Sequence, residues 1–159
     1  MAKNTIKLKK YSDIIEEYVA AAAITPGMLL EYTSGGEVQA HQNAGLNVVQ
    51  MFALEDELQG KGIDEDYSTD APVQVWIPGR GDQVYAILKD DTAAVTTGDF
   101  LESAGAGYLQ KHDPDNSAAM NYTNQIVAQA LEDVDLSGSS GEESSGPLGY
   151  NKRIKVRIV

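Results

Sequence analysis

Apolar and polar residues alternate with a period of two in several short stretches of this chain, the pattern of strands with one face buried. Val73, Val75 and Ile77 alternate with Gln74 and Trp76 in VQVWIP, and Ile154, Val156 and Ile158 alternate with Lys155 and Arg157 in IKVRIV. Near the start, Ile6 and Leu8 alternate with Lys7 and Lys9. Asn47–Leu54 and Gln125–Leu131 are mostly apolar and bounded by polar loops, which suits strands buried on both faces. Val84–Leu88 is a further strand, joined to VQVWIP by the turn PGRGD. LLEY and VQAH enclose one glycine-containing turn, and DFLES and YLQKH enclose another, so each pair reads as a β-hairpin. Gly35, Gly36, Gly105 and Gly107 supply the positive φ such turns need. Ser12–Ala23 resists this scheme: Asp13 and Glu16 resemble a capping box before an Ala-rich run, so a short helical turn or irregular start is expected before a strand. The pattern predicts about nine or ten short strands with short helical turns, in an all-β compact barrel or sandwich.

The chain also resembles itself. Ala22–His41 aligns without gaps on Ala93–His112 with nine of 20 positions identical, among them Thr25/Thr96, Gly27/Gly98, Glu31/Glu102, Gln39/Gln110 and His41/His112. The tetrapeptide ALED follows in each copy, at Ala53–Asp56 and Ala130–Asp133, and a polar loop then leads to VQVWIP or IKVRIV. A unit this short cannot bury its apolar face alone, so two sequence-related halves, about 22–78 and 93–159, are expected to share one core.

The 159 residues suit one domain, and 42% hydrophobic content allows a real core. The formal net charge of -12 is unevenly spread. Lys3, Lys7, Lys9 and Lys10 stand in the first ten positions and Lys152, Arg153, Lys155 and Arg157 in the last eight, with no acid in either stretch. An acidic body argues against binding packed nucleic acid, while basic ends can steer association with an acidic partner. No apolar run is long enough for a membrane helix and the start has no apolar signal region, so neither membrane insertion nor secretion is expected. Residues 1–12 read as an extended N-terminal arm suited to strand addition, 13–159 as a single β domain, and the Ser/Gly-rich stretch 136–149 as a flexible loop.

Chemistry is sparse. With no cysteine, thiolate metal sites and cysteine nucleophiles are excluded. His41 and His112 end the second strand of matching hairpins, which points to a shared structural origin rather than a catalytic pair. Asp64, Asp66 and Asp70, and separately Asp113, Asp115 and Ser117, offer oxygen ligands, but Thr69 and Ala118 stand where a calcium loop has glycine, and Val75 and Asn124 where it has Glu. Neither a nucleophile elbow nor a phosphate-binding loop occurs. Arg80-Gly81-Asp82 spells an adhesion tripeptide, yet a tight turn requires those glycines anyway. No cofactor and no enzymatic activity are expected.

The motifs ITPGMLLE, FALEDELQGKGIDEDY, VWIPGRGDQVYAIL, VTTGDFLES, ALEDVD and IKVRIV together make the chain resemble the decoration, or cement, proteins that tailed bacteriophages attach to the outside of their capsids, the broad group that includes the lambda head decoration protein. The resemblance implies a compact β fold, homotrimers at local three-fold positions, a location on the outer capsid surface of the virion, and an arm that adds a strand to the major capsid protein. On this sequence the arm would be Thr5, Ile6, Lys7, Leu8, Lys9 and Lys10, and the oligomer interface would include Trp76, Arg80 and Tyr85. A carbohydrate- or ligand-binding β module is the alternative; Trp76, two Phe and scattered Tyr make a thin aromatic supply for it.

Overall fold

The computed structural model describes residues 5–9, 14–91, 93–113, 125–138 and 153–159. They form eleven strands and one 3-10 turn: β1 (Lys7–Lys9), β2 (Ile15–Val19), β3 (Leu30–Tyr32), β4 (Val38–Ala40), β5 (Phe52–Ala53), the turn Glu57–Gln59, β6 (Pro72–Trp76), β7 (Gln83–Ile87), β8 (Phe100–Gly105), β9 (Tyr108–Lys111), β10 (Ile126–Ala130) and β11 (Arg153–Ile158). The expected all-β character holds. Residues 14–23 hold no helix: Ile15 to Val19 lie against β6, whose backbone outweighs the local alanine preference. Most of the Ser/Gly stretch, from 139 to 149, lies outside the described residues.

Three antiparallel sheets result, in the orders β1-β7-β11-β10-β8-β9, β2-β6-β5 and β3-β4. No closed barrel ladder joins them among the described residues; the single bridges Ala20 to Val38 and Leu29 to Phe52 link the two smaller sheets, and the bridge Leu88 to Leu109 joins the end of β7 to β9 within the largest. Both sequence-predicted hairpins form, and their registers agree. Glu31 faces Gln39 in one and Glu102 faces Gln110 in the other, with each Gln amide donating to its Glu at 2.8 and 2.9 Å. The ALED stretches dock alike: the Gly27 N–H donates to the Ala53 carbonyl at 2.8 Å and the Gly98 N–H to the Ala130 carbonyl at 2.9 Å.

The core has two parts. A smaller cluster, including Ile24, Leu30, Met51, Tyr67, Val73 and Val75, lies within the first half. The larger gathers β7, β8, β10 and β11, and takes in Leu29, Phe52 and Trp76 from the first half and Ile6 from the N-terminal segment. The strand period explains this division, because Val75 and Trp76 are neighbours in β6 and point to opposite faces. Between the halves, Arg153 is 4% exposed, and its guanidinium donates to Asp64 Oδ1 at 2.6 Å and to the carbonyls of Pro26 and Ile63. A buried cation so held is tolerable only with those acceptors.

Candidate functional site

The N-terminal segment, expected to leave the domain, is docked on it. Lys7 and Lys9 pair with Val84 and Gln83, which makes β1 the outermost strand of the six-stranded sheet. The Tyr85 N–H donates to the Ile6 carbonyl at 2.7 Å, and the Ile6 side chain is fully buried in the larger cluster. Buried Glu55 accepts the Ile6 N–H at 3.1 Å on Oε2, and the Thr5 hydroxyl donates to Oε1. Thr5 and Ile6 are therefore engaged within their own chain, which corrects the expectation of a freely extended arm: a carboxylate withdrawn from water needs donors, and these residues supply them. Leu8 is half-buried against the larger cluster, Lys7 is half-buried and Lys9 is exposed. Lys10 lies outside the described residues.

The three interface candidates do not form one surface. Trp76 is fully buried and Tyr85 is 7% exposed, both within the larger cluster, so neither can anchor a partner as the chain stands. Arg80, in the turn between β6 and β7, is exposed. The adhesion tripeptide is not displayed either, because Asp82 is fully buried and accepts the Gly79 N–H at 2.8 Å.

His41 and His112 each meet the glutamate of their own hairpin. His112 Nδ1 lies 2.7 Å from Glu102 Oε2, and His41 Nε2 lies 3.7 Å from Glu31 Oε2. His41 Nδ1 also lies 2.7 Å from Ser103 Oγ, which gives a hydroxyl, imidazole and carboxylate in the order used for nucleophilic catalysis. Burial decides against that use. Ser103 is 0% and His41 2% exposed, and the Gly105 N–H donates to the same hydroxyl, so no substrate carbonyl can approach it. The arrangement ties the end of β4 to β8. Glu31 and Glu102 were legible as identical positions of the self-alignment; Ser103 was not, since Tyr32 stands at its counterpart.

Among the described residues, no group of three metal-ligating side chains converges. Asp64 is engaged by Arg153, while Asp66 and Asp70 are exposed. Asp115 and Ser117 lie outside the described residues. Three carboxylates are held below their ordinary range by donors: Asp99 by Lys111 and the Thr96 N–H, Asp133 by the Thr97 N–H and hydroxyl, and Asp135 by the Ser137 hydroxyl and N–H.

What the surface offers a partner is strand edge and exposed apolar groups. The inner edge of β2 is taken by β6, as the Ile77 N–H to Ile14 carbonyl and Ala20 N–H to Ala71 carbonyl bonds show. By antiparallel alternation, the backbone groups of Ile15, Glu17 and Val19 then face outward. Ile15 and Val19 are 38% and 45% exposed. Beside this strand, Tyr18 and Tyr32 pack edge to face with centroids 5.1 Å apart, and the Tyr32 hydroxyl donates to that of Tyr18 at 2.8 Å. Hydrogen bonding to Glu16 pushes the Tyr18 phenol upward from its ordinary pKa.

No protein-family description and no curated protein matches the sequence. Among solved structures, the chain is similar to the crystal structure of head fiber gp8.5 N base in bacteriophage phi29, with a TM-score of 0.52 over 92% of this chain and 93% of that one, at 14% identity. At that identity the likeness is one of fold.

Proposed function

We propose that this chain is a non-catalytic β module that attaches to the head of a tailed phage and works there by surface contact. The observation that carries the reading is the likeness of fold to a phage head fiber base, which spans nearly the whole of both chains and not an isolated hairpin. It agrees with the resemblance to decoration proteins read from the sequence.

The finer reading is a homotrimeric decoration protein on the outer capsid surface that binds and stabilises the major capsid protein. In it, the chain consists of two equivalent units, with β2, β6, β5, β3 and β4 in one answering β7, β11, β10, β8 and β9 in the other. The matching registers and ALED bonds support that equivalence. Capsid contact falls to the outer edge of β1 and to Lys7, Lys9 and Lys10, because Ile6 is already committed to its own core. Several copies held together would add avidity without stronger individual contacts.

Co-sedimentation with expanded empty heads tests this. The chain is expected to pellet with heads, and Lys7→Glu/Lys9→Glu to stay in the supernatant while keeping its circular dichroism spectrum. Deleting residues 1–10 is a poorer test, since it also takes Ile6 from the core. Binding unaffected by the charge reversal ends the role given to β1, and absence of binding to any head ends the head reading.

The exposed Tyr18–Tyr32 pair favours a second reading, a carbohydrate- or ligand-binding module. Glycan-array binding that disappears in Tyr32→Ala would establish it.

A further inference from the structure

Equivalent positions of the two halves are covered unequally. Gly27 and Gly98 adopt φ of +93° and +96°. A Cβ at Gly27 would meet the Tyr85 carbonyl at 3.0 Å and the side chains of Ile6 and Ile87 at 3.3 Å, whereas at Gly98 it would meet nothing within 4 Å. In the hairpin turns, a Cβ at Gly107 would strike Met28 at 3.0 Å, and one at its counterpart Gly36 would stand in open space. Leu29 is fully buried and its counterpart Phe100 is 45% exposed. Trp76 is fully buried and its counterpart Arg157 is exposed.

These differences have one geometric origin. The face of the first half that carries Gly27, Leu29 and Trp76 is seated on the edge of the second half that carries Tyr85, Ile87 and Gly107. The Ile87 N–H donates to the Gly27 carbonyl at 3.1 Å, and the Leu29 N–H to the Gly107 carbonyl at 2.8 Å. The matching face of the second half (Gly98, Phe100, Arg157) and the matching edge of the first (Glu17, Val19, Gly36) have no such cover among the described residues. The second half thus leaves a face exposed, its Gly98 carbonyl met among the described residues only by the Gln129 amide at 3.1 Å, and the first half an edge, of the kind that already fit each other within the chain.

Charge selects how copies would meet. Face on face would set Arg157 against Arg157, and edge on edge would set Glu17 against Glu17. Face on edge brings the cationic Arg157 to an edge that carries Glu17, and the exposed Phe100 to one that carries the exposed Val19. We infer that copies of this chain associate head to tail, the Gly98–Phe100–Arg157 face of one seated on the Glu17–Val19–Gly36 edge of the next, in a closed ring that repeats between chains the contact made within each. A heterologous contact of this kind closes when its rotation permits. The inference rests on the two-unit reading above, and not on what the ring attaches to.

Sedimentation velocity of the full chain and three variants tests it. The unaltered chain is expected as a closed oligomer. Arg157→Glu and Glu17→Arg each place like charges across the contact, and each is expected to weaken association by about tenfold or more. The double variant restores opposite charges and is expected to recover assembly. Both residues are exposed, so the fold persists, checked by circular dichroism. A monomer at every concentration overturns the inference, and so does an oligomer indifferent to either single substitution. A monomer that still pellets with heads would sink this contact and spare the head reading; a ring that ignores heads would do the reverse.

Discussion

The backbone N–H of Ile6 points at the Glu55 carboxylate from 3.1 Å, one of the contacts that dock the N-terminal segment on the domain. Glu55 is 7% exposed and comes from the ALED tetrapeptide, so the same motif that docks β5 also fastens β1.

Removing that carboxylate is therefore a global lesion. Glu55→Ala is expected to lower the unfolding free energy by about 2 kcal/mol, the range for hydrogen bonds to a charged group. Ile6→Ala is expected to cost about 3 kcal/mol through the lost burial and the cavity left behind. Urea denaturation reads both, and amide exchange at Tyr85 reads the release of the strand. Unchanged Tyr85 protection in Glu55→Ala would contradict the fastening role.

Trp76 and Arg80 sit four residues apart and should respond oppositely to truncation. Trp76→Ala is expected to destabilise the chain by about 4 kcal/mol, because a large ring in the larger cluster is lost. Arg80→Ala is expected to change stability by less than about 0.5 kcal/mol, as exposed positions do. Paired denaturant melts check this, and equal effects would mean that Trp76 is not where the structure places it.

Stability should fall at both ends of the pH scale, for opposite reasons. Asp99 and Asp133 are held below the ordinary carboxylate value in the folded chain. The unfolded chain thus takes up protons first, and the stability these groups add is full at neutral pH and lost as pH drops from about 4. Tyr67 is pushed up to about 12, chiefly by burial. Its contribution is present below its unfolded value of about 10 and is lost as pH climbs toward 12. Thermal midpoints across pH check each limb: Asp99→Asn with Asp133→Asn should flatten the acid side, and Tyr67→Phe the alkaline side.

Much of the fold was legible because strand patterns are local. Val73 to Trp76 and Ile154 to Ile158 became strands where the period-two alternation put them, and the hairpins turned at Gly36, Gly105 and Gly107 with positive φ, although Gly35, expected to share it, does not and Ala106 does. The pairing of Glu31 with Gln39 and of Glu102 with Gln110 was implicit in the self-alignment, because residues eight apart across a turn that ends in glycine face each other. The strand expected within Ser12–Ala23 formed as β2, but no helical turn appears in residues 14–23, because its alanines favour helix only locally while β6 offers a whole ladder of bonds.

The surface assignments were not legible. Alternation in TIKLKK marks an edge strand, but one face of Ile6 reads the same whether a partner or its own core receives it. Trp76 and Arg157 occupy the same place in matching strands, and only the packing of one half on the other buries the first and leaves the second exposed.

By itself, then, the order of residues settled many of the strand positions and turn sites, since these depend on neighbours along the backbone. Which face is covered, where the N-terminal strand docks and which edge stays open were decided by the tertiary structure, because burial is a property of surfaces brought together from distant parts of the chain, and segments of similar sequence acquire different surroundings once the chain is packed.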